Sequence, residues 1–173
     1  MTLSEITEND QVGVIELGMS EPGEMTVIAK IARVDMAVIT NIGITHIGQL
    51  GSQENILREK LHITDGMKDG GLLILNGDDA LLKNVRGREG LRTVYYGTGE
   101  NCDFRAVDVC FEDGFPSFTA VHGADRQRVR LNVMGPVSYT HLGRSSGSRE
   151  SICTLRIFQP AGRSGLRRIW PCR

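Results

Sequence analysis

VGVIELGMSEPGEM (residues 12–25), MAVITNIGITHIGQLGSQENILREKLHITDGM (36–67) and GLLILNGDD (71–79) are three instances of one pattern. Each carries a short apolar run, at 12–17, 36–40 and 72–75, and each run leads into polar residues. These are Glu16 in the first, Asn41 and His46 after the second, and Asn76 and Asp78 after the third. Segments with helical spacing separate the runs. Strands alternating with helices in this way predict βαβ units, an α/β fold and a mostly parallel sheet. Parallel strands finish on a common rim, and open α/β sheets bind ligands there. The pattern therefore gathers a carboxylate, an imidazole, amides and a second carboxylate at one edge.

Between the runs, Ser20, Pro22 and Glu24 predict a helix start: a capping hydroxyl, a first-turn proline and an acid at the positive end of the dipole. That helix is expected to run to about Arg33. Ser52 is the expected cap of the next helix, with Glu54 in its first turn. Ile56, Leu57, Leu61 and Thr64 fall on one face of it. Lys60 lies four residues from Ile56 and three from Leu57, on or beside that buried face. An ammonium is out of place there unless it has a task or its stem snorkels outward. Residues 79–86 predict a short helix and 92–96 a further strand. Beyond residue 101, three alternating runs are separated by Glu112-Asp113-Gly114 and Gly123-Ala124-Asp125. That is turn chemistry, and it predicts an antiparallel meander, a small sheet appended to the parallel one.

The formal net charge of −1 argues neither for nucleic acid nor for a membrane surface as partner, and neither is expected. Residues 137–173 depart from the rest, holding seven Arg, one Glu and no Lys. They show no core-forming period and are expected to be a disordered, non-native tail, whereas a basic arm for an acidic partner is the competing reading. The four cysteines have neither a C-x-x-C pair nor zinc-ligand spacing. A reduced compartment is the simplest setting, with Cys102 and Cys110 expected on a strand. No apolar run approaches the roughly 20 residues that span a bilayer, and residues 1–10 lack signal-peptide character. A cytoplasmic, monomeric protein is expected.

ELGMSEPGEM (16–25), ITNIGITHIGQLGSQENILREK (39–60) and LILNGDD (73–79), in this order and spacing, resemble the Mur ligase family. The resemblance covers residues 1–135 and implies part of a central ATP-binding domain, P-loop NTPase-like, with 136–173 left unassigned. It implies an ATP-dependent, magnesium-requiring ligase that joins a carboxylate to an amine through an acyl phosphate in peptidoglycan precursor synthesis. The wording of the motifs is similar to the branch acting on a UDP-muramoyl tripeptide and D-alanyl-D-alanine. Other muramoyl ligases, folylpolyglutamate synthase and a non-catalytic binding fragment are the alternatives.

By the same resemblance, Glu16 and His46 would contact magnesium and Lys60 would be carbamylated into a further ligand. The three are the catalytic candidates. Asn76 would contact adenine, with Asp78 a weaker nucleotide candidate and Asn41 and Thr45 bordering substrate. On residue chemistry alone His46 would be a hydrogen-bonded loop histidine, since magnesium prefers oxygen. Asn76-Gly77-Asp78 would likewise be a plain turn. The family's phosphate loop has no counterpart, because no G-x-x-x-x-G-K-[ST] occurs in the sequence. The chain is therefore expected to be an internal fragment with a foreign tail, weak or inactive by itself.

Overall fold

A computed structural model describes residue 10, residues 12–45 and 47–132 and, in backbone alone, residues 152–157. The strands are β1 (Val12–Leu17), β2 (Met36–Ile39), β3 (Leu72–Asn76), β4 (Arg92–Gly97), β5 (Phe104–Glu112), β6 (Phe115–His122), β7 (Asp125–Arg130) and β8 (Ile152–Ile157). They form one sheet in the order β1-β8-β2-β3-β4-β5-β6-β7. Pairing is parallel from β2 through β5 and antiparallel from β5 through β7. The expected α/β class and parallel rim are present. The meander is not a separate sheet, however, because Tyr96 and Gly97 of β4 pair with Phe104 and Arg105 of β5.

Three α-helices lie among the described residues: α1 (Glu24–Ala32), α2 (Ile47–Leu50) and α3 (Gln53–Leu61). Ser52 caps α3 as its sequence requires, its Oγ accepting from Asn55 N at 3.2 Å. The start of α1 differs from expectation. Gly23, with φ of 87°, is its cap residue and supplies no side chain. The hydroxyl of Ser20 is not the cap; instead Glu24 Oε2 accepts from Ser20 N at 2.6 Å and Glu21 N at 3.1 Å. The acid thus satisfies the turn before the helix.

The helix expected over 79–86 is reduced to a 3-10 turn at Leu82–Asn84. Asp79 Oδ1 accepts from Leu81 N and Leu82 N, and Val85 is already extended, so no second turn forms. Cys110 is on a strand, as expected, but Cys102 precedes β5. Of residues 136–173, the structure describes only β8. It pairs antiparallel with both β1 and β2, filling a single-strand gap between them. Cys153, Leu155 and Ile157 do alternate with Thr154 and Arg156, but so short and isolated a run does not say which strands it pairs with.

Winding decides which face is covered. From β1 to β2, β3 and β4 the chain always steps in the same direction across the sheet. Right-handed crossovers then place every connection on one face. Ile15, Leu17, Ala37, Ile39, Leu73 and Leu75 are buried in one core with Met25, Ala29, Ala32, Ile56 and Ile63. On the opposite face Val12 and Val14 remain 49% and 53% exposed, and Met36, Val38, Leu72 and Ile74 are half-buried. Below the core, Gly66 lies so close to α1 that a Cβ there would sit 1.9 Å from Ala29 O.

Candidate functional site

The site is built on the loop that leaves β2. Three successive residues of that loop are each held by a different side chain. Asn76 Nδ2, at the end of β3, donates to Thr40 O at 2.9 Å. Lys60 Nζ, from α3, donates to Asn41 O at 2.8 Å. Asp79 Oδ2 accepts from Ile42 N at 2.9 Å. Gln53 Nε2, at the start of α3, adds donations to Ile42 O at 3.1 Å and Gly43 O at 3.4 Å. Backbone groups that leave a strand have lost their ladder partners, and here side chains replace them.

Lys60 is only 2% exposed, as its position beside Ile56 and Leu57 implied. Ile56 is fully buried beneath it. Lysine is seldom buried to this degree, because removing an ammonium from water is costly. A charge-assisted bond to a carbonyl offsets part of that cost. Its neighbour Glu59 is also buried, at 6% exposure, and its Oε1 accepts from Met25 N of α1 at 3.0 Å.

Asn76 is 1% exposed, and its side chain serves the fold. Besides Thr40 O it engages Asp78 N, which donates to its Oδ1 at 2.9 Å. Asp78 faces the turn after β4, accepting from Thr98 N at 2.8 Å, Thr98 Oγ1 at 3.1 Å and Gly99 N at 3.2 Å. Gly97 allows that approach, since a Cβ there would lie 2.7 Å from Asp78 Oδ1. Both residues expected to meet a nucleotide are thus engaged by backbone. The plain-turn reading describes their contacts.

These acids also mark the electrostatics of the rim. Burial raises the Tyr96 phenol well above its ordinary pKa, and the charges of Asp78 and Asp79 push it further. The Cys102 thiol is raised for the same first reason, with Asp78 adding to it.

Glu16 is near the end of β1, on the expected rim. In register it is opposite Cys153 of β8, which is opposite Val38 of β2. Two strand spacings put its backbone about 10 Å from Val38. Alternation along β1 turns its side chain to the exposed face, away from the helices. Thr45 is half-buried in the β2 loop. His46 lies outside the described residues.

Lys60, Asn41 and Asn76 therefore meet at one loop, Thr45 lies further along it, and Glu16 and Asp78 stand apart. Glu59 and Asp79 escaped the sequence reading. Asp79 could have been found from its place after Asn76-Gly77-Asp78, since an acid there caps the following turn.

Among the described residues, no group of three or more His, Cys, Asp or Glu is placed to hold a metal ion. With Lys60 as an ammonium, the β2 loop does not fit magnesium, which needs several hard oxygens and no neighbouring cation.

Residues 1–139 match the Mur ligase middle domain. The UDP-N-acetylmuramoyl-tripeptide–D-alanyl-D-alanine ligase of Bacillus subtilis is 40% identical over 119 residues, which are 69% of this chain and 25% of that protein. MurF of Acinetobacter baumannii superposes with a TM-score of 0.64 at 25% identity, covering 72% of this chain and 27% of its own. MurF of Thermotoga maritima, solved in complex with ADP, gives 0.57 at 25% identity, covering 64% and 26%. The chain spans about a quarter of the length of these relatives. With residues 1–139 of its 173 matching the family's middle domain, the chain belongs to the Mur ligase family.

Proposed function

We propose that the chain is part of an ATP-dependent ligase that adds D-alanyl-D-alanine to UDP-N-acetylmuramoyl-tripeptide in peptidoglycan precursor synthesis. The tripeptide's carboxylate takes the γ-phosphoryl group of ATP, giving an acyl phosphate and ADP. The amine of D-alanyl-D-alanine then attacks the acyl carbon, forming the peptide bond and releasing phosphate and a proton. ATP supplies the phosphoryl group. The enzyme is cytoplasmic, where nucleotide-linked precursors are found, and acts as a monomer. The observation that carries this reading is Lys60, buried on α3 and bonded to the loop at the ligand-binding rim. The relative at 40% identity supplies the substrate class.

In this reading Lys60 reacts with carbon dioxide. Burial favours the neutral amine, the reactive form. The nitrogen lone pair bonds to the carbon, a proton leaves the nitrogen, and an anionic carbamate with two oxygens replaces the cation. That change would remove the cation that bars magnesium from the β2 loop and add two hard oxygens there. Asn76, Asp79 and Gln53 hold the β2 loop still while Asn41 and Thr45 border the substrate. Glu16 and His46 are assigned to the metal by their place in the motifs alone, and Glu16 would have to join the β2 loop from the opposite face of the sheet.

The test replaces the matching quarter of the Bacillus subtilis ligase with residues 10–132 of this chain. The chimera is expected to release phosphate from ATP only with both UDP-muramoyl tripeptide and D-alanyl-D-alanine present. Lys60→Ala in it should lower kcat at least about a hundredfold, the scale for losing a metal-site group. A folded chimera that binds ADP yet releases no phosphate, or prefers another amine, would overturn the assignment.

A further inference from the structure

The end of α1 nearest the rim has no cap of its own. Gly23 stands in the cap position without a side chain, and Glu24 is occupied by Ser20 N and Glu21 N. The Met25 N–H, one of the first-turn donors with no partner inside the helix, is met instead by Glu59 Oε1, 34 residues away. A carboxylate at a helix N-terminus interacts favourably with the dipole, and more so when shielded from water. Glu59 is 6% exposed and the next residue is Lys60, so α3 grips two separate segments through consecutive side chains. Successive residues on a helix point about 100° apart, as such a double grip requires.

We propose that Glu59 is a positioning residue: by docking α3 on the uncapped start of α1, it sets where Lys60 meets the β2 loop. Its bearing on catalysis rests on the ligase reading above, whereas the docking does not. Without the carboxylate, Met25 N–H loses its acceptor, and α3 can shift relative to α1. Lys60 moves with α3, and the loop at Asn41 and Ile42 follows. A residue that only capped α1 would leave that loop unchanged.

The experiment is amide hydrogen exchange by NMR on the 173-residue chain and its E59Q and E59A variants. Met25 N–H reports the cap, and Ile42 N–H, bonded to Asp79, reports the loop. Leu73 and Leu75 in β3 report global stability. In E59A, exchange at both Met25 and Ile42 should accelerate about tenfold beyond the change at Leu73 and Leu75, the scale for a charged hydrogen bond. E59Q keeps a neutral acceptor and should move both sites in the same direction by less. If Met25 accelerates while Ile42 follows Leu75 in either variant, the proposal is overturned and Glu59 is a cap alone. The carbamate carbon formed with ¹³C-bicarbonate separates the two readings. Its absence in the unsubstituted chain counts against the role given to Lys60, while the exchange data still decide the role of Glu59.

Discussion

Replacing Lys60 with methionine tests whether its burial belongs to function or to folding. Methionine keeps the unbranched stem and nearly the same volume, so packing around Ile56 and Leu57 is retained. Two electrostatic terms change. The ammonium's bonds disappear, the charge-assisted one to Asn41 O at 2.8 Å among them, a loss of about 1.5–3 kcal/mol. The desolvation of an ammonium that is 2% exposed also disappears, a relief of several kcal/mol per buried ion. The second term equals or exceeds the first, so K60M should unfold within about 1 kcal/mol of the unsubstituted chain, or above it. K60A removes the stem as well and should lose about 2–4 kcal/mol through the cavity it leaves. Urea unfolding at pH 7 gives both numbers, provided the slope with denaturant is unchanged. A K60M variant destabilised by more than about 3 kcal/mol at constant slope would refute the reasoning. The ammonium would then be a net stabiliser of the fold, and its burial would no longer point to a site.

Two further outcomes follow from the packing and the rim charges. Gly66→Ala places a Cβ 1.9 Å from Ala29 O and 2.3 Å from Ala29 C. Backbone cannot yield cheaply, so a loss of at least about 3 kcal/mol is expected in thermal or urea unfolding, and a loss under about 1 kcal/mol would contradict the approach of α1. The Tyr96 phenol is raised in the folded state by burial and by Asp78 and Asp79, so the folded chain keeps a proton that the unfolded chain releases above pH ~10. Stability from this source is complete below that pH and is lost as pH rises past it. Tyr96→Phe should flatten the alkaline limb of a stability-versus-pH curve; an unchanged limb would show that Tyr96 does not set it.

What could be read from the residues was what depends on nearby residues. The burial of Lys60 follows from its distance to Ile56 and Leu57 along one helix, and the Ser52 cap from a hydroxyl three residues before the amide it bonds. The parallel rim follows from apolar runs that end in polar residues. Contacts with distant partners left no such trace. Glu59 looks like an ordinary surface acid of α3, because its acceptor role is defined by a backbone N–H in α1. Asp78 and Asp79 are adjacent and chemically identical, yet one holds the turn after β4 and the other the β2 loop. Their difference is one of direction, which alternation at a strand end does not fix. Ser20 was the better cap by residue type, but the left-handed φ at Gly23 gave the role to a residue without a side chain. β8 was invisible because its place is defined by a gap between β1 and β2.

The sheet described above also implies an order of assembly. The turns at Glu112-Asp113-Gly114 and at Gly123 join β5 to β6 and β6 to β7 across a few residues, with Asp113, Gly114 and Gly123 already at positive φ. Hairpins of this kind close in microseconds. The β2–β3 pair must first close a loop that contains two helices, and β8 must reach β1 from the far end of the chain. Closure entropy grows with each of these separations, and contacts between distant residues form late. The meander is therefore expected to be the folding nucleus, and the rim carrying Lys60 and the β2 loop to form on a template that its own residues did little to build.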